Sequence, residues 1–166
     1  MSFSHTELSK RFALLAGSLP EFNLPLTLTA QLLRVTAERL STHMNRCLKA
    51  EGITESLWYA LLFVYVSPNR EIMPSHLSDL LNLTRTSATR LADEMSARGW
   101  IRRERGGNNR DRRQILLRLT PEGEAFIRKI QPLITAKRDR IWAGFTDADH
   151  AELQHLLGRL LEKLQD

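Results

Sequence analysis

Cysteine is all but missing from this chain. Cys47 stands alone among 166 residues, which excludes an intrachain disulfide and a four-cysteine zinc site, and which fits a cytoplasmic address. No apolar run approaches the roughly 20 residues that a membrane span requires, so no membrane partner is expected. The opening stretch, MSFSHTELSKRF, lacks a cationic start followed by an apolar core and does not read as a secretory signal. There is no glycine-rich phosphate loop and no nucleophile motif. Of the five histidines, only His150 and His155 lie near each other, and their offset suits a single ion poorly on a helix. Enzyme chemistry, a cofactor and a metal are therefore not expected.

What is present is positive charge in one place. Between Arg98 and Arg113 stand seven arginines (98, 102, 103, 105, 110, 112 and 113) against Glu104 and Asp111, a surplus of five. The chain has 24 basic and 19 acidic residues, so the remainder holds 17 of each and sums to zero. A neutral body with one arginine-rich patch implies a polyanionic partner. A charge cluster alone can also be a solvated face, so the weight falls on what precedes it.

The stretch before the patch reads as helix, turn and helix. Pro74 suits a first helical position, and Leu77, Leu80 and Leu81 supply a buried face for about two turns. Asn82 accepts the left-handed backbone of a sharp turn. Thr84 caps a second helix whose inner face is Ala88, Leu91, Ala92 and Met95. Its outer face carries Arg85, Thr86, Ser87, Thr89 and Arg90. Short hydroxyls and arginines are what a helix in a major groove uses on phosphates and guanine edges. Gly99 stops the helix. Residues 100–104 and 114–119 read as two strands, the second with Ile115, Leu117 and Leu119 on one side. Between them lies the turn Gly106-Gly107-Asn108-Asn109, so the hairpin projects a tip bearing Arg105, Arg110, Arg112 and Arg113. Such a tip fits the negative potential of a minor groove.

The flanks look like scaffolding. Residues 1–26 form a weakly patterned arm, in which Leu8, Phe12 and Leu15 share a face if 6–16 is helical, and Pro20 and Pro25 discourage a continuous helix. This arm is either loose or packed on a partner subunit. From Thr27 to Ala50, Leu33, Ala37, Leu40, Met44 and Cys47 recur at helical spacing, closed by Gly52. Cys47 on that stripe is a small buried hydrophobe or, alternatively, a peroxide-sensing thiol. Thr54 opens a central helix through Val66, in which Trp58 and Tyr59 either pack in the core or line a pocket. Glu71-Ile72-Met73 makes at most a strand turn that pairs with the hairpin. Thr120-Pro121 begins a long helix with the broken stripe Phe126, Ile130, Leu133, Ile141 and Phe145, and Pro132 predicts a kink or a missing hydrogen bond. Thr146 restarts a helix whose leucines, from Leu153 to Leu164, are too many for a lone exposed helix. These end helices suit an isologous dimer interface, or else intrachain packing.

The run Asp111-Arg112-Arg113, followed by a strand and Leu119-Thr120-Pro121-Glu122-Gly123, resembles the wing motif of the MarR family of winged-helix transcription regulators. LKAEGITESLWYAL, Thr84 to Arg90 and Glu94 to Trp100 are similar to the multidrug-efflux repressors within that family. The resemblance spans about residues 28–165. It implies a mainly α fold with a small β-hairpin wing: one continuous unit with a winged helix-turn-helix domain over 53–119 and dimerisation helices over 27–52 and 120–166. It implies a homodimer on double-stranded DNA, with Thr84 to Arg90 on major-groove bases and phosphates. Arg113 would enter the minor groove, oriented by Asp111, which is otherwise a simple turn former. It also implies repression of efflux or stress-response genes, relieved by a small aromatic or phenolic ligand at Pro74, Thr89 and Arg103, although Arg103 can equally serve phosphate or solvent. Two alternatives stand beside this reading: a redox-responsive regulator using Cys47, and a winged helix used only for protein contacts.

Overall fold

The computed structural model describes residues 4–19, 21–105 and 115–164. Helix α1 (His5–Ser18) begins where the Ser4 hydroxyl accepts from the Glu7 N–H at 3.2 Å. Rather than lying loose, this arm packs on the next helix of its own chain: Leu8 is buried, and the Phe12 and Phe22 rings sit 6.1 Å apart. Helix α2 (Leu24–Leu48) starts three residues earlier than the sequence pattern predicts. Asn23 caps it, and Pro25 falls in the first turn, where its missing N–H costs nothing. A short 3-10 turn, Lys49–Glu51, then leads to Gly52 at φ +68°, the left-handed exit that favours glycine.

Helix α3 (Glu55–Val66), capped by Thr54, is the centre of the molecule. Leu57, Trp58, Ala60, Leu61 and Val64 are buried on it. They meet Met44 and Leu48 of α2, and Ile72, Leu77, Ala92, Met95, Ile101 and Leu117 from the segment that follows. Each fully buried leucine contributes about 1.5–3 kcal/mol of transfer free energy. This explains why α3 is apolar nearly all round: it has neighbours on most sides.

After α3 come a 3-10 turn (Pro68–Arg70), strand β1 (Glu71–Ile72), helix α4 (Pro74–Leu80), helix α5 (Arg85–Ala97) and strands β2 (Ile101–Arg105) and β3 (Ile115–Leu119). The sheet order is β1-β3-β2, antiparallel throughout. Glu71 and Ile72 do pair with the hairpin, opposite Arg118 and Leu117. Ile115 shares a face with Leu117 and Leu119 but is exposed, because the hairpin has there run past the core. Leu80 is likewise exposed; Leu77 alone of the α4 leucines is fully buried.

Helix α6 (Pro121–Trp142) runs unbroken through Pro132, which lies on an exposed side. Its buried stripe is Ile127, Ile130 and Ile134, while Leu133 and Phe145 are exposed and Phe126 packs at the core margin. Of the predicted stripe, Ile130 is buried and Phe126 and Ile141 are half-buried, while Ile127 and Ile134 take the buried places beside Ile130. Helix α7 (Asp147–Lys163) opens with a capping box between Thr146 and Asp149. Leu153, Leu156, Leu157, Leu160, Leu161 and Leu164 all stand exposed along it. Among the described residues no helix is long and apolar enough to cross a membrane.

Candidate nucleic-acid interface

The turn between α4 and α5 is built by backbone geometry. Asn82 takes φ +49°, and the chain folds back through Leu83 N–H to Ser78 C=O at 2.9 Å. Thr84 is extended, and its hydroxyl oxygen accepts from Ser87 N–H at 3.2 Å while donating to Ser87 Oγ at 3.0 Å. Ala88, Ala92 and Met95 anchor α5 in the core. That orientation leaves Thr84, Arg85, Thr86, Thr89 and Arg90 exposed on the other side, with Ser87 half-buried against its cap. Thr89 donates its hydroxyl to Arg85 C=O at 2.9 Å, one turn back along the helix.

The end of α5 is fixed as firmly as its start. Gly99 leaves the helix at φ +72°, and Trp100 N–H returns to Met95 C=O at 2.9 Å, a left-handed closure. The Trp100 ring stacks on Phe126 of α6 at 4.0 Å. Thr120 joins these parts: its hydroxyl donates to Gly99 C=O at 2.6 Å and accepts from Gly123 N–H at 3.1 Å, and its own N–H donates to Trp100 C=O at 3.0 Å. Gly123 lies so close that a Cβ there would sit 2.2 Å from Trp100 O. The spacing of Thr120 and Gly123 is therefore a packing requirement: helix α6 starts directly against the base of the hairpin.

The arginine patch is less bare than its sequence implies. Arg98 pairs with Glu94 at 2.7 Å, Arg102 with Glu104 at 2.5 Å and Arg103 with Asp93 at 2.5 Å. Arg118 bridges Glu71 at 2.6 Å and Glu104 at 2.9 Å across the sheet. Asp93 and Glu94 lie just upstream of the window in which the charges were counted. Among the described residues no carboxylate pairs with Arg85 or Arg90. Those two and Arg105, at the end of β2, are exposed. Arg110, Asp111, Arg112 and Arg113 lie outside the described residues.

The three residues expected to meet a ligand are spread over three elements. Pro74 opens α4, Thr89 is on α5, and Arg103 is on β2 with its guanidinium held by Asp93. A separate cavity of about 330 Å³ lies between α2, α3 and α6, lined among others by Ser41, Met44, Glu55, Tyr59, Arg138 and Trp142. Arg138 donates to Tyr59 Oη at 2.9 Å, and Ser41 donates to the Glu55 carboxylate. Tyr59 thus lines this cavity, and Trp58 is buried in the core. Arg138 was not foreseen, since nothing in a sequence marks a residue 79 positions from its partner. Cys47 is half-buried on α2, and its backbone carbonyl accepts from Lys137 Nζ at 3.2 Å.

A model described as MarR family matches residues 51–114. The transcriptional repressor MprA of Escherichia coli is 33% identical over 164 residues, covering 99% of this chain and 92% of that protein. The regulator PrsX of Escherichia coli is 29% identical over 130 residues, covering 78% and 76%. Among solved structures, a MarR family transcriptional regulator from Streptomyces coelicolor in complex with DNA superposes with a TM-score of 0.77 at 23% identity, covering 87% of this chain and 91% of that one. A mutant of Escherichia coli MarR complexed with operator DNA gives 0.71 at 22% identity, covering 89% and 98%. A full-length relative at this identity, on a fold that keeps the same helices and wing, places the chain in the MarR family of DNA-binding transcriptional regulators.

Proposed function

We propose that this chain represses transcription by binding a pseudo-palindromic operator as a homodimer. The observation that carries the reading is α5: buried alanines and Met95 on one side, and Thr84, Arg85, Thr86, Thr89 and Arg90 exposed on the other, with both helix ends locked. Helices α2, α6 and α7 would form the interface, because the leucines of α7 have no cover within the described chain. Residues 53–119 would bind DNA, with Arg110, Arg112 and Arg113 in the minor groove and Asp111 orienting Arg113. Two copies of α5 would then enter major grooves about one turn, ~10 bp, apart. The regulator would act in the cytoplasm, on efflux or stress-response genes. Fragments of the source genome selected by the purified protein should share an inverted repeat at that spacing, and binding should weaken steeply with salt. A folded, dimeric sample that retains no fragment at low ionic strength defeats the reading.

The cavity beside Tyr59 and Arg138 favours a second element, release by a small aromatic or phenolic anion. Such a ligand must bind the DNA-incompetent form more tightly than the competent one. Pro74, Thr89 and Arg103 are the other candidate contacts, and a carboxylate reaching Arg103 would take the place of Asp93. Titration of salicylate by calorimetry separates the two locations. Heat lost in Arg103→Ala points to the wing base, and heat lost in Arg138→Ala points to the cavity. No heat in the wild type, with unchanged DNA affinity, removes effector control.

A further inference from the structure

We infer that Arg98 is a positioning residue for DNA reading: it ties the end of α5 to the link between α2 and α3 and does so without touching DNA. Arg98 is the C-terminal cap of α5. Its Nη2 donates to Gly52 C=O at 2.8 Å and to Glu94 Oε1 at 2.7 Å, and its guanidinium lies 5.0 Å from the Trp100 ring centroid. Gly52 ends the 3-10 turn that follows α2, so one side chain ties α5 to the link between α2 and α3. The same closing segment takes two cations from α6: Lys129 on Glu51 at 3.4 Å and Lys137 on Cys47 C=O at 3.2 Å. The segment 47–52 is therefore a shared anchor, and Arg98 is the hold that α5 has on it.

The lever is long. Thirteen steps of 1.5 Å separate Arg98 from Arg85, about 20 Å. Ala88, Ala92 and Met95 seat α5 in the core and leave room for only a small tilt, yet one of ~2° already moves a point about 20 Å away by roughly 0.7 Å, comparable with the tolerance of a hydrogen bond to a base edge. Thr120 and Trp100 hold the same end of α5 toward β2 and α6. Arg98 adds a tie to the link between α2 and α3. Glu94 on the preceding turn keeps the guanidinium aimed.

The test uses the full-length protein, the genomic fragment it selects and a random duplex of equal length. Arg98→Met should weaken the selected fragment by about tenfold, the equivalent of one charge-assisted hydrogen bond. Affinity for the random duplex and the slope of log K against log salt should stay as in the wild type. A direct phosphate contact predicts otherwise: both duplexes weaken together and the slope falls by about 0.9. Glu94→Gln gives a second check that survives if Arg98→Met does not fold. Removing a negative charge beside DNA raises affinity for both duplexes alike, so the readout is their ratio: loss of aim should lower the selected-to-random ratio by about threefold, whereas a phosphate role for Arg98 leaves it unchanged. An unchanged ratio in Glu94→Gln, a reduced slope in Arg98→Met, or full affinity in Arg98→Met overturns the assignment.

Discussion

Gly123→Ala is the substitution on which local propensity and packing disagree most. Alanine in place of a helical glycine favours the helix by up to about 1 kcal/mol. At this site the new Cβ would stand 2.2 Å from Trp100 O and 3.0 Å from Leu119 Cδ1. Relief requires α6 and the hairpin base to separate by about 1 Å, since the obstacle is backbone that cannot rotate away. Overpacking of this kind costs roughly 1–3 kcal/mol. The separation also stretches the Thr120 N–H bond to Trp100 C=O, worth about 1 kcal/mol more. After the propensity gain the net is about 2 kcal/mol of destabilisation, or ~4–8 °C in Tm for a chain of this size. Urea denaturation at fixed protein concentration measures it. Gly17→Ala is the control, because nothing lies within 4 Å of its Cβ, and it should be neutral or slightly stabilising. A Gly123→Ala variant as stable as the wild type refutes the packing account of the Thr120–Gly123 spacing.

Three further outcomes are expected. Thr84→Ala should cost about 1 kcal/mol and speed amide exchange at Ser87, while Thr84→Ser keeps both near wild type; equal exchange in the two variants would remove the cap from the argument. Arg85→Ala and Arg90→Ala should each reduce the salt slope of DNA binding by up to about 0.9, and an unchanged slope in both would take α5 off the phosphates. The hydrogen bond from Arg128, with the charges of Arg70 and Arg128, outweighs partial desolvation and holds the Glu124 carboxyl below its ordinary value. A lowered folded-state value means that the stabilisation is present above the unfolded value and lost as pH falls through the folded one. The urea midpoints of wild type and Glu124→Gln should therefore converge as pH drops into the carboxylate range, and parallel curves would contradict this.

What the sequence discloses here is short-range chemistry. Thr54, Thr84, Thr120 and Thr146 each mark a helix start, because a cap is decided within three residues. Asn82 and Gly52 adopt the left-handed conformations their types invite. The exposed face of α5 follows from its own periodicity. Orientation against distant partners is another matter. Whether α6 buries Ile127 and Ile134 or Phe126 and Leu133 depends on the surface that α3 offers, and a difference of one residue is invisible to a 3.6-residue period. The pairings of Arg98 with Gly52 and Arg138 with Tyr59 span 46 and 79 residues and leave no local trace. Counting arginines overstated the open charge for a different reason: Glu94 pairs with Arg98 one helical turn on and Asp93 with Arg103, and both carboxylates stand just outside the basic run.

The two-residue strand at Glu71 and Ile72 has a consequence out of proportion to its length. By pairing with Arg118 and Leu117 it brings the entrance of the reading head alongside its exit, so residues 71–119 make a closed loop cinched at its base. Closing the loop at its base fixes where its buried face meets α3 and α6, so a segment borrowed from a related chain would have to bring matching residues at Leu77, Ala92, Met95 and Leu117 and the same close approach to Gly123.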